Sequence, residues 1–246
     1  MSGHSKWSTI KRQKGANDAK RGQLFTKLSM AITLSVKEGG NVSDPNGNPR
    51  LRLAIDAARA ANMPKENIDR AIQRAVSKQA GDMTEFVYEG FGPGGFSIMV
   101  EAVTDNKQRT TPIVKSTFEK NGGTIGNPGS VAYQFEQKGQ VIVKKNGKSF
   151  DDIYLVSAEL GAEDLEDAED EVVIYSKPEE LAKIRDGLVA QGFGISEAAL
   201  IRKPTVLSTI TDKTAVEKAL AFLELIEDLD DVQKVYANLD IPDELL

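Results

Sequence analysis

Six cations fall within the first 22 residues: Lys6, Lys11, Arg12, Lys14, Lys20 and Arg21, with Asp18 the single acid among them. The only tryptophan, Trp7, sits in the same stretch. Cations that neutralise phosphates release condensed counterions, and an aromatic ring adds a stacking surface for an unpaired base. The stretch therefore has the composition of a phosphate-tracking arm with one stacking group. Lys27 and, beyond a turn-forming linker, Arg50 and Arg52 extend the same charge. Arg109 closes a polar turn, Asn106-Lys107-Gln108-Arg109, whose amides and cations suit phosphates and bases and equally suit helix capping. There is no zinc-finger spacing, RNP motif or basic zipper, so the pattern indicates nucleic acid without choosing DNA or RNA.

The charge is distributed to match. Residues 1–80 hold 15 Lys and Arg against 6 Asp and Glu, a net of +9, whereas residues 81–246 hold 16 against 31, a net of −15. Such asymmetry points to a polyanionic partner at one end and a solvating surface at the other.

Catalytic chemistry finds little support. There is no cysteine, and His4 is the only histidine. That excludes thiolate sites, histidine clusters and any histidine-based dyad in a folded core. The acids from Glu159 to Glu171 run linearly across a helix end and a hairpin. A metal ion needs carboxylates that converge, so this run is expected to be a solvated face. The Gly90–Gly95 stretch, GFGPGG, precedes a strand rather than a helix, which makes it a hairpin turn and not a phosphate loop. Ser116, Thr110 and Thr111 lack a base and a glycine elbow. The expectation is a non-enzyme with no catalytic residue, metal site, cofactor or small-molecule substrate. No apolar run approaches the roughly 20 residues that span a bilayer, and the polar amino terminus has no signal-peptide core. A cytoplasmic protein without membrane contact is expected.

The elements that would position these residues follow from periodicity. Leu24, Leu28 and Ile32, flanked by Phe25 and Val36, predict a helix ended by Gly39-Gly40. Leu51, Ala54, Ile55, Ala58 and Ala61 predict a second, and Ile68, Ala71, Ile72, Ala75 and Val76 a third that opens at Pro64. The pattern then shifts to period two. Strands are expected at 84–89 and 96–103, a helix capped by Thr110 or Thr111 with Pro112 in its first turn, and a strand on Val131, Tyr133 and Phe135. From 137 to 203 the order is β-α-β-β-α-β, the ferredoxin-like arrangement, with a Ser176/Glu179 capping box on its second helix. A strand at 206–210, a helix and a strand near 232–237 follow. One strand–helix–strand tail is too small to fold alone, so it is expected to complete the sheet begun at residue 84. The reading is thus α+β: an arm (1–22), a helical bundle (23–80), a split α+β domain (81–136 with 204–246) and an inserted ferredoxin-like domain (137–203).

Several segments carry a resemblance: GHSKWSTIKRQKGANDAKRGQLFTKL at 3–28, NPRLRLAIDAARAANMPKENIDRAI at 48–72, YEGFGPGGFSIMVEAVTDN at 88–106, NGGTIGNPGSVAYQF at 121–135 and DLDDVQKVYANLDIP at 228–242. On these the chain resembles the YebC/PmpR family, which includes the mitochondrial translational activator of cytochrome c oxidase subunit I. It departs from the family pattern at Lys107-Gln108 and at Tyr133. The resemblance implies three domains and a regulatory, non-enzymatic role. It implies a DNA-binding transcriptional regulator or, alternatively, a translation factor that contacts ribosomal RNA and relieves stalling on the ribosome. A protein-interaction scaffold without nucleic acid and a carboxylate–magnesium hydrolase are the remaining alternatives.

Overall fold

A computed structural model describes residues 18–77 and 83–245. Three helices come first: α1 (Asp18–Glu38), α2 (Pro49–Ala60) and α3 (Lys65–Val76). Their apolar stripes meet in one core containing Ile32, Val36, Leu51, Ile55, Ala58, Ile68, Ala71 and Ala75. Leu24, expected in that stripe, stays 42% exposed while Phe25 and Leu28 pack. Asn48 ties the linker to the bundle. Its Oδ1 caps α2 by accepting from the Leu51 amide at 3.0 Å, and its Nδ2 donates to the carbonyls of Ser35 and Val42. An Asn N-cap satisfies one orphan amide; this one also buries its own donors productively.

The first sheet holds β1 (Thr84–Phe91), β2 (Ser97–Thr104), β3 (Thr124–Ile125) and, from far along the chain, β9 (Val232–Ala237). Its order is β3-β1-β2-β9, antiparallel throughout. Helices α4 (Lys107–Lys120) and α7 (Lys213–Glu227) cover one face. Alternation decides which residues they meet: Ile98, Val100 and Ala102 turn towards the helices, with Phe96, Phe118 and Phe222 packed edge to face.

The second sheet lies between the two halves of the first. It is built from β4 (Phe135–Lys144), β5 (Asp164–Ala168), β6 (Glu171–Ser176) and β7 (Gly194–Pro204), in the order β5-β6-β4-β7. Helices α5 (Phe150–Leu160) and α6 (Leu181–Ala190) cover its outer face through Val141, Val143, Ile153, Ile184 and Leu188. This is the ferredoxin-like order. The opposite strand positions, Ile142, Val173, Tyr175 and Ile201, pack with Met99 and Tyr236 of the first sheet. The two sheets therefore share a buried seam. The fold is α+β, with a helical amino-terminal bundle and one α+β unit inserted in the other.

Five local expectations are corrected. Helix α1 already runs at Asp18, so Lys20 and Arg21 belong to it and not to the flexible arm drawn to residue 22. Helix α4 begins at Lys107, because Asn106 Oδ1 accepts the Arg109 amide at 3.1 Å; Pro112 thus lies inside the helix, and Thr110 is buried. The 131–135 segment is not a strand until Phe135, since Ala132–Gln134 form a 3-10 turn. Tertiary hydrogen bonds donated to the Glu89 carboxylate pull that backbone out of the extended ladder, as described below. The Ser176/Glu179 capping box does not form. Ser176 Oγ donates to the Lys177 carbonyl, and a 3-10 turn at Pro178–Glu180 precedes α6. The strand expected at 206–210 contracts to β8 (Ser208–Thr209), paired in parallel with β10 (Leu239–Asp240).

Candidate nucleic-acid interface

Lys6, Trp7, Lys11, Arg12 and Lys14 lie outside the described residues. Lys20 belongs to the first turn of α1. Arg21 follows, its guanidinium 5.7 Å from the centre of the Phe25 ring. That distance is within cation–π range and points the charge along α1.

The other sequence-selected cations meet partners of the chain itself. Lys27 donates to the carbonyl of Glu227 at the carboxyl end of α7, where a cation complements the helix dipole. Arg50 pairs with Glu38 and, at 3.0 Å, with Glu85. Arg52 donates to the carbonyls of Pro45 and Asn46 and lies 3.6 Å from Asp186. Arg109 bridges Asp105 at 3.1 Å and Asp231 at 3.3 Å. Both Arg50 and Arg109 keep half of their side chains in solvent. These four residues join elements, and they do not form one continuous strip.

The structure gathers a different pair. Between α1 and α3 runs a groove of about 300 Å³ lined by Phe25, Thr26, Ser29, Asn67, Arg70 and Arg74, among others. Arg70 and Arg74 stand one turn apart on α3, both exposed. Among the described residues neither meets a carboxylate. Phe25, Met30, Met63 and Met83 make much of the groove wall apolar, and Ser29 and Thr33 turn their hydroxyls back onto the carbonyls of Phe25 and Ser29, so its hydroxyls are internally satisfied. The acidic Asp69 lines a separate groove with Lys65 and Gln73. The α1–α3 groove thus has cations on its rim and continues from Arg21 along the same helix. Sequence reading missed Arg70 and Arg74 because it weighed density along the chain; their i, i+4 spacing beside the buried Ile68, Ala71 and Ala75 was the available signal.

Elsewhere the acidic run is met by lysines. Lys138 lies 2.8 Å from Glu163, and Lys203 lies 2.9 Å from Asp164 and 3.6 Å from Glu166. Among the described residues no three acidic or histidine side chains are placed to hold a metal ion, and no helix is long and apolar enough to cross a membrane.

Comparison with known proteins covers nearly the whole chain. Residues 5–78 match the family model described as the TACO1/YebC protein N-terminal domain, and residues 83–239 match that of the TACO1/YebC second and third domain. A probable transcriptional regulatory protein of Dictyoglomus turgidum is 48% identical over 248 residues, covering 100% of this chain and 98% of the relative. One of the same description from Chloroflexus aggregans is 49% identical over 249 residues, with the same coverage. The crystal structure of a conserved hypothetical protein from Aquifex aeolicus superposes with a TM-score of 0.86 at 41% identity, covering 93% of this chain and 94% of that one. With both family models matched in order, an unbroken likeness to full-length relatives and a shared three-part fold, this chain belongs to the TACO1/YebC family.

Proposed function

We propose that this chain is a nucleic-acid-binding regulator of gene expression, and that its contact runs from the basic amino-terminal stretch along α1 into the α1–α3 groove. The observation that carries the reading is the groove itself. Arg70 and Arg74 flank it without a carboxylate partner among the described residues, within the first 80 residues, which hold a net charge of +9. Cations without a carboxylate partner on the rim of a concave groove suit a phosphate backbone. The descriptions carried by the relatives, probable transcriptional regulatory proteins, support a regulatory role, and duplex DNA is the first ligand proposed for it. The role is binding and not catalysis, acting in the cytoplasm.

Ribosomal RNA is the other polyanion that this groove accepts, which would make the chain a ribosome-associated translation factor. A salt titration of the Arg70→Gln, Arg74→Gln double variant tests the site against both ligands. Losing two phosphate contacts should weaken binding and flatten the slope of log affinity against log salt by about 1.8 on duplex DNA and about 1.4 on single strands. An unchanged slope on either ligand would remove the groove from the interface.

A further inference from the structure

In a chain that is 28% charged, residues 90–100, 121–135, 204–211 and 235–239 contain no Asp, Glu, Lys or Arg. Charge resumes at their flanks, at Lys120, Glu136, Lys203 and Asp212. The fold brings these four segments to one end of the first sheet. Asn238 Oδ1 accepts the Ser97 amide at 2.7 Å, and its Nδ2 donates to Gln134 Oε1 at 2.9 Å. Ser97 Oγ meets the same Gln134 oxygen at 3.0 Å, and the Thr205 amide and hydroxyl donate to the Gln134 carbonyl.

Tyr133 stands on this platform, 76% exposed, the most exposed large hydrophobic side chain among the described residues. Its backbone is held on both sides. Gln134 is gripped as above, and the amides of Gly129, Val131 and Ala132 donate to the buried Glu89 carboxylate at 2.7–2.9 Å. Val206 and Leu207, 58% and 44% exposed, follow the tethered Thr205. The Tyr133 hydroxyl accepts from Gln134 Nε2 at 3.1 Å, and an aromatic ring on a fixed backbone has less conformational entropy to lose on binding.

The electrostatic setting selects the partner. Residues 81–246 carry a net charge of −15, a field that repels a phosphate backbone. The charge-free segments add no repulsion of their own, and the carboxylate beneath them, Glu89, is buried. The charge-free segments offer a π face with hydroxyl and amide groups around it, which is how unpaired bases are recognised. The helical bundle sits at the other end of the sheet, through Arg50 on Glu85 and Gln233 on Met30. Eight-residue strands at about 3.4 Å per residue put the two ends roughly 25 Å apart.

We propose that Tyr133 stacks on an unpaired nucleobase of the same nucleic acid whose phosphates the helical bundle holds, a proposal that rests on the nucleic-acid reading above in its RNA form, since a closed duplex presents no unpaired base. The test is fluorescence anisotropy with full-length protein and three labelled probes: a stem-loop RNA with a pyrimidine loop, a single-stranded DNA of the loop sequence, and a blunt duplex of the stem. Tyr133→Ala should weaken the stem-loop and the single strand by about 5- to 150-fold, the range typical of one stacked base. Blunt-duplex affinity and all salt slopes should not move. Tyr133→Phe should restore binding. Tyr133→Leu, which keeps an apolar side chain but no π face, should not. Equal binding by Tyr133→Leu and wild type would overturn stacking, as would full affinity of Tyr133→Ala for both unpaired probes, and would leave this face to a protein partner. Failure of the wild type to bind any probe would instead overturn the nucleic-acid reading, and this proposal with it.

Discussion

Replacing Glu89 with Gln should release the loop that carries Tyr133 without unfolding the rest of the protein. The carboxylate is 8% exposed and accepts from Gly129 at 2.7 Å, Val131 at 2.8 Å and Ala132 at 2.9 Å. Val131 and Ala132 share one oxygen, and Gly129 takes the other. Glutamine supplies one acceptor oxygen and turns an NH2 group towards at least one amide. One or two charge-assisted bonds are lost, at about 1.5–3 kcal/mol each, and a donor is left buried against a donor. A local cost of roughly 2–4 kcal/mol corresponds to an opening equilibrium constant about 30- to 1,000-fold larger at these amides. Hydrogen exchange followed by mass spectrometry reads it directly on the peptide covering 126–135. The pH dependence gives a second reading. Burial pushes the Glu89 pKa up, but the three amides and Arg202 override it and leave the group below the ordinary glutamate value. A depressed folded pKa means stability present above the unfolded value near 4.5 and lost as pH falls through the folded one. The wild-type loop should therefore loosen on acidification below that value, whereas the Gln variant should be loose at neutral pH and change little. Exchange in 126–135 that is the same in both proteins at neutral pH would refute the clamp.

Replacing Lys11, Arg12, Lys14, Lys20 and Arg21 with Gln should weaken nucleic-acid binding strongly at low salt and leave the melting temperature nearly unchanged, since surface substitutions usually cost under about 0.5 kcal/mol; unchanged affinity in the titration would sink the arm. A fragment covering 137–203 should give a dispersed proton spectrum alone, because the whole β5-β6-β4-β7 order lies almost within it. A fragment covering 81–136 should not, because β9 is missing from its sheet; a stable, dispersed 81–136 would contradict the split-domain reading. Arg185, 7% exposed, pairs with Asp56 of α2 and Asp186 of α6. Arg185→Met should cost about 1–3 kcal/mol, tempered by the partial exposure of both acids. It should speed amide exchange in α2, and unchanged exchange there would show that the pair does not hold the helical bundle to the inserted unit.

Much of this protein is legible in one dimension. Helix and strand periodicity places the three helices of the bundle and both sheets, because burial of one face imposes a 3.6- or 2-residue repeat that local sequence must obey. The ferredoxin-like order is readable for the same reason, and so is the return of the tail to the first sheet, since an isolated strand–helix–strand cannot bury its own face. The polarity of the chain, basic then acidic, is pure composition. Three-dimensional placement decides what composition leaves open. Lys27, Arg50, Arg52 and Arg109 count as cations in the sequence, yet the fold brings acids or helix-end carbonyls to each of them. Arg70 and Arg74 carry the same charge and face a groove instead. No local pattern separates the two groups, because an ion pair is made between residues distant in the chain. The Glu89 clamp is the same lesson in the backbone. Val131, Tyr133 and Phe135 alternate as a strand should, but a carboxylate some 40 residues earlier takes their neighbouring amides and bends the segment into a turn. Sheet-like alternation is a weak local preference, and three charge-assisted hydrogen bonds from across the fold outweigh it.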